Sequence, residues 1–131
     1  MSTVRLEDHR WPLLTVHWPR GELTAEDVDT FIRRADEYLD RREPFVVVHN
    51  ASFTVRPSAT IRAKLAAHIE RQGDAMSRYI KAAGVVTASA LVRGAVTAIN
   101  WISPAPFPQR TFANLESAEQ WVLAELERTK S

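Results

Sequence analysis

Apolar positions along this chain switch repeatedly between a period of two and a period near 3.6, and the switches predict its elements. Thr3-Val4-Arg5-Leu6-Glu7 alternates, as does Leu14-Thr15-Val16-His17-Trp18. Both read as half-buried strands, with Val4 and Leu6 inward on one and Leu14, Val16 and Trp18 on the other. Residues 8–12 then form the loop of an antiparallel hairpin. Pro19-Arg20-Gly21 breaks the pattern. Thr24 with Asp27 three places on has the form of a capping box, and Val28, Phe31, Ile32, Ala35 and Leu39 follow at helical spacing.

Phe45-Val46-Val47-Val48 is apolar without alternation, the pattern of a central parallel strand covered on both faces. It runs into His49-Asn50-Ala51-Ser52. Ser58 opens a second helix, whose buried stripe is Ile61, Leu65, His68 and Ile69. Met76, Tyr79 and Ile80 extend that stripe past Gly73, which predicts one long helix. Ala83-Gly84-Val85-Val86-Thr87-Ala88 is a third core strand. The run 91–102 is an almost wholly apolar helix, with Arg93, Thr97 and Asn100 in one narrow polar stripe. Prolines 104, 106 and 108 end it. Gln109-Arg110-Thr111-Phe112 is a last strand, and Ser117 caps a last helix whose face is Trp121, Val122 and Leu126. The order β-β-α-β-α-β-α-β-α defines an α/β fold: a four- to five-stranded, mostly parallel sheet with an N-terminal antiparallel hairpin and about four helices.

Bulk properties narrow the function more than they name it. A length of 131 residues predicts a single domain spanning 1–131. The net charge of +1 comes from interleaved signs, as in Glu37-Tyr38-Leu39-Asp40-Arg41-Arg42-Glu43, and this is no nucleic-acid footprint. The absence of cysteine excludes disulfides and thiolate metal sites. The N-terminal residues lack the apolar core of a signal peptide, and the 91–102 helix covers about two-thirds of a membrane span. A cytoplasmic location is the expectation.

The sequence contains no G-x-S-x-G elbow, Walker loop or G-x-G-x-x-G. His9, His17, His49 and His68 have no metal-ligand spacing, so neither a metal nor a cofactor is expected. His49 ends a core strand, where open α/β sheets place ligands; the plainer alternative is a hydrogen bond to a neighbouring loop. His68, on an apolar stripe, reads as a buried neutral imidazole with one backbone partner. Arg93 stands in the first turn of its helix, against the dipole, as an ion-paired residue or a contact for an anion or partner. Trp101 and Phe107 form either an interface patch or packing over the helix end.

The heptapeptide Gly21-Glu22-Leu23-Thr24-Ala25-Glu26-Asp27, the strand ending in a small polar loop after Val48, the stretch Ser89-Ala90-Leu91-Val92-Arg93-Gly94, and the close Phe112-Ala113 with Ala118-Glu119-Gln120-Trp121 occur in this order over almost the whole chain. Together they resemble the STAS family, and more closely the stand-alone bacterial proteins like the sporulation anti-sigma-factor antagonist. The shape implied is related to lipid-transfer domains of the CRAL–TRIO kind. The resemblance implies a non-catalytic signalling module that binds a protein partner or forms a homodimer. In the regulatory members a serine at the start of the second helix, in Asp-Ser-Ser-Gly, is phosphorylated by a partner kinase. Here the region reads Val55-Arg56-Pro57-Ser58-Ala59-Thr60, so Ser58 aligns while the Asp and Gly are missing. Ser58 is therefore a helix cap or a phosphosite, with Arg56 near enough to pair with a phosphate. Two alternatives accompany the module reading. One is a carrier or sensor of a lipid-like apolar ligand, with a pocket at His49, Asn50, Val92, Val96 and Ile99. The other is a small hydrolase using His49.

Overall fold

The β-branched run forms the central strand of the sheet, and the rest of the chain is arranged to cover it. The computed structural model describes residues 3–130. Its elements are β1 (Arg5–Arg10), β2 (Leu13–His17), α1 (Ala25–Leu39), β3 (Phe45–Asn50), α2 (Ala59–Tyr79), β4 (Ile80–Val86), α3 (Ala90–Ile102), β5 (Gln109–Phe112) and α4 (Leu115–Thr129). The strands lie in the order β1-β2-β3-β4-β5. β1 is antiparallel to β2, and the remaining pairs are parallel. Each parallel step moves the same way across the sheet, and right-handed crossovers then put α1, α2 and α3 on one face. α4 covers the other.

Two apolar clusters, one per face, confirm that arrangement. Phe45 and Val47 join Leu14, Val16, Leu39 and Met76 on the α1–α2 side. Val46 and Val48 join Leu13, Val86, Ala118 and Val122 on the α4 side. Each of the four residues of β3 from Phe45 to Val48 is buried. β3 and β4 pair in parallel from Val46–Ala82 to Asn50–Val86, as expected of two unalternating strands.

The two faces are packed differently. α4 lies directly on β3 and β4. Gly84 permits this, because a Cβ there would stand 3.3 Å from Ala118 Cβ and 3.4 Å from the Phe112 ring. On the opposite face α3 packs chiefly on α2 and stands off the strands.

Several local expectations need correction. β1 continues to Arg10, so the connection to β2 is the tight Trp11–Pro12 turn and not a loop over 8–12. β2 is buried along both faces, because Leu13 packs under α4 while Leu14 and Val16 face α1; Thr15 is buried as well. Trp18 lies just beyond β2 and stacks on Phe31, with ring centroids 4.8 Å apart. Ile80 belongs to β4, since α2 stops at Tyr79. α4 is capped by Asn114, whose side chain accepts from the Ser117 amide at 2.8 Å, so Ser117 is the capped residue.

The capping box at α1 forms and does more than cap. Thr24 Oγ1 accepts from the Asp27 amide (3.1 Å), and Asp27 Oδ2 accepts from the Thr24 amide (3.0 Å). Asp27 is buried, and its Oδ1 accepts from the Thr3 amide (2.9 Å), tying the approach to β1 onto the helix. Gly21, at φ +88°, lets the chain turn after Pro19; its amide donates to Phe53 O and its carbonyl accepts from the Val55 amide. Asp27→Ala removes an acceptor shared by two backbone donors, so it should lower unfolding stability by about 2 kcal/mol. Urea denaturation checks this, and a loss under 0.5 kcal/mol, roughly the cost of a weak cap alone, would show that the Thr3 tie carries nothing.

Candidate functional site

The stand-off between α3 and the sheet leaves an apolar cavity of about 160 Å³. Its floor is formed by Leu14 of β2, Phe45, Val47 and His49 of β3, and Ala83 and Val85 of β4. Its walls and roof come from Phe31 and Ala35 of α1, Leu65, His68 and Ile69 of α2, and Val92, Ala95, Val96 and Ile99 of α3, with Trp18 and Phe107 from connecting segments. Strand alternation explains the membership. Phe45, Val47 and His49 project from one face of β3, and Val46, Val48 and Asn50 from the other. Asn50, although next to His49, therefore does not line the cavity. Its Nδ2 meets His17 Nδ1 at 3.2 Å, and its Oδ1 accepts from the Ser52 hydroxyl at 2.6 Å, closing the turn after β3.

His49 is held by Trp18. The indole Nε1 donates to His49 Nδ1 at 3.1 Å. An indole can only donate, so Nδ1 is the unprotonated nitrogen and the neutral ring carries its proton on Nε2. Burial pushes the imidazole down to about 4. The carboxylate partner expected of a catalytic histidine is replaced by Trp18, which holds the ring but stabilises no charge on it.

Phe31 lies between two imidazoles, edge-on to His49 at 5.7 Å and to His68 at 6.0 Å. His68 is buried, and its partner is a side chain and not the expected backbone group: Nε2 meets Asp36 Oδ1 at 2.9 Å. Burial outweighs Asp36 and holds His68 below its ordinary value. For Asp36, burial alone would raise the carboxyl, but hydrogen bonds from His68, Gln72 and Arg71 prevail and hold it low. At neutral pH the pair is thus an imidazole donating to a carboxylate, bracing α1 against α2.

The remaining candidates are scattered. Ser58 is the N-cap of α2, its hydroxyl accepting from the Ile61 amide at 3.2 Å. Trp101 is 82% exposed and Ile102, beside it in the last turn of α3, is 61% exposed; Leu91, in the first turn, is 65% exposed. Phe107 does not join them; it packs against the core cluster on the α1–α2 face and reaches the cavity. Arg93 is exposed beside an open polar groove between α3 and β5, and forms no ion pair among the described residues. Among the described residues no group of three or more His, Cys, Asp or Glu is placed to hold a metal ion, and no helix is long and apolar enough to cross a membrane.

Of the cavity residues, His49, Val92, Val96 and Ile99 were anticipated. Trp18, Phe31 and His68 carry only packing signals in the sequence. They come from three different elements, and no local sequence signal states that they converge.

Comparison with solved structures places this architecture among STAS-type folds. An uncharacterised protein with a SpoIIAA-like fold from Shewanella loihica superposes with a TM-score of 0.63 at 18% identity, covering 92% of each chain. An anti-sigma factor antagonist from Mycobacterium paratuberculosis gives 0.60 at 20%, covering 92% of this chain and 93% of its own. An anti-sigma-factor antagonist (STAS) domain protein from Planctomyces limnophilus gives 0.57 at 14%, covering 95% and 98%. The SpoIIAA-like family model matches residues 13–123, and the chain belongs to that family. No curated protein matches it.

The two lowered histidines set a pH dependence. Below pH 6.5 the unfolded chain binds protons that the folded His49 refuses until about pH 4, so stability is full above 6.5 and falls as the pH drops through this window. His68 acts in the same direction. His49→Gln keeps an acceptor for Trp18 but cannot titrate. Urea midpoints at pH 7.5 and 4.5 should show the wild type losing on the order of 2 kcal/mol more than this variant. Equal losses would mean that His49 is freely protonated in the folded state.

Proposed function

We propose that this chain is a non-catalytic regulatory module of the STAS type that acts by contact with a protein partner. The observation that carries this reading is the outer surface of α3. Leu91, Trp101 and Ile102 are each more than 60% exposed on one helix. Large exposed apolar groups at both ends of one helix favour a binding surface along it, and a tryptophan is a common energetic anchor of one. The family supports the same class of function, since a structural relative is an anti-sigma factor antagonist. A homodimer through this surface is the alternative occupant. A cytoplasmic location fits the same reading.

Trp101→Ala should leave the melting temperature near wild type, because the side chain touches little of the core. It should weaken the complex with a co-purifying partner, or the self-association seen by sedimentation, by about 2 kcal/mol or more. Unchanged association together with a lowered melting temperature would contradict the proposal.

Ser58 enters this reading as a structural cap and not as a switch. Ser58→Ala should cost about 1 kcal/mol of stability, and Ser58→Asp should keep the cap, since aspartate accepts the same hydrogen bond and suits the helix N-terminus. Neither should change partner binding. Stoichiometric phosphate on Ser58 in protein from its own cells, with loss of partner binding in Ser58→Asp, would establish a phosphoswitch instead.

A second reading, a sensor or carrier of a small apolar ligand, is favoured by the cavity under α3. A space of this size lined by aliphatic and aromatic side chains is the kind that admits an apolar ring: an engineered cavity of about 150 Å³ binds benzene.

A further inference from the structure

Resting on the second reading, we propose that the cavity selects a neutral, ring-sized apolar molecule bearing a hydrogen-bond acceptor of the carbonyl class, held by His49 Nε2–H. The strand residues lining the cavity are apolar except His49 and, on β5, Gln109. Trp18 holds the His49 ring through Nδ1 and thereby fixes the proton on Nε2. Nε2 has no hydrogen-bond partner among the described residues. Yet no buried side-chain nitrogen or oxygen among them lacks a partner, so Nε2 retains accessible surface. His49 lines the cavity, and the proposed ligand is one that meets this surface from within it. Each of the other polar side chains around the cavity makes at least one bond within the protein: Thr54 Oγ1 donates to the Pro19 carbonyl, His68 Nε2 to Asp36, and Asn100 Nδ2 to Gln109 Oε1. None of their free atoms is an N–H of a ring held on the cavity floor, which is what sets His49 apart.

The charge state narrows the ligand further. His49 is neutral over the physiological range, because burial disfavours its cation. A carboxylate entering the cavity would lose its water without gaining a counter-charge, which is costly in an apolar site. A neutral carbonyl loses less and recovers one hydrogen bond. The ligand is thus distinguished both from a pure hydrocarbon, which leaves Nε2–H unanswered, and from an acid.

The test compares three near-isosteric probes on the full chain: acetophenone, α-methylstyrene and benzoate. Binding is followed by NMR titration, with the His49 Nε2–H correlation and the infrared carbonyl stretch of bound acetophenone as reporters. Acetophenone should shift the Nε2–H signal, and its bound carbonyl stretch should fall below its value in hydrocarbon solvent. α-Methylstyrene should bind without shifting Nε2–H, and benzoate should bind at least tenfold more weakly than acetophenone. His49→Phe should weaken acetophenone at least tenfold while changing α-methylstyrene less than threefold. The wild-type signals suffice if that variant does not fold. Binding of acetophenone and α-methylstyrene with no carbonyl shift and no Nε2–H response would overturn the role of His49 while leaving the cavity reading intact. Benzoate binding more tightly than acetophenone would overturn the neutral-ligand assignment. Failure of all three to bind would sink the cavity reading itself.

Discussion

A central strand with no face to give to water constrains the whole molecule. Residues 45–48 are apolar on both sides, so β3 must be covered twice, and the two covers are unequal. One helix, α4, covers one face closely because Gly84 and Ala118 let backbone and helix approach. Three helices cover the other face, and they brace one another as much as they press on the strands. α1 is tied to α2 through Asp36, His68, Arg71 and Gln72, and α3 rests on α2. The cavity follows from that difference. Rings from Trp18, Phe31, His49 and His68 meet near the carboxyl ends of the strands, where parallel sheets place their sites.

Much of this was legible along the chain, and the failures have physical causes. The unalternating runs at 45–48 and 83–86 revealed paired parallel strands, since only cover on both faces tolerates such a sequence. The long α2 was legible because its stripe persists across Gly73. β2 misled because Thr15 and His17 mimic a solvent-facing side; Thr15 is buried by tertiary packing that a period of two does not report. Ile80 continued a helical stripe but had already entered a strand. Asn50 neighbours His49 in sequence, but the alternation of β3 sends the two side chains to opposite faces. The cavity itself depends on how far α3 stands from the sheet, a distance no local pattern encodes.

α3 unites the two functional readings. Its inner residues Val92, Val96 and Ile99 roof the cavity, and its outer residues Leu91, Trp101 and Ile102 face solvent. The helix therefore has apolar groups on two sides, which is why its sequence shows only a narrow polar stripe at Arg93, Thr97 and Asn100. A molecule filling the space beneath α3 would gain contacts with the same element that carries the exposed tryptophan. Contact with a partner and occupation of the cavity thus bear on one structural element.

The cavity requires that α3 be held off the sheet over empty space. A crystal structure under xenon pressure measures this directly, because xenon enters dry apolar cavities of this size. A xenon atom bounded by Val47, His49, Val92, Val96 and Ile99 is expected, with the helices unmoved. Side chains of α3 packed onto β3 and β4, with no xenon between them, would contradict it.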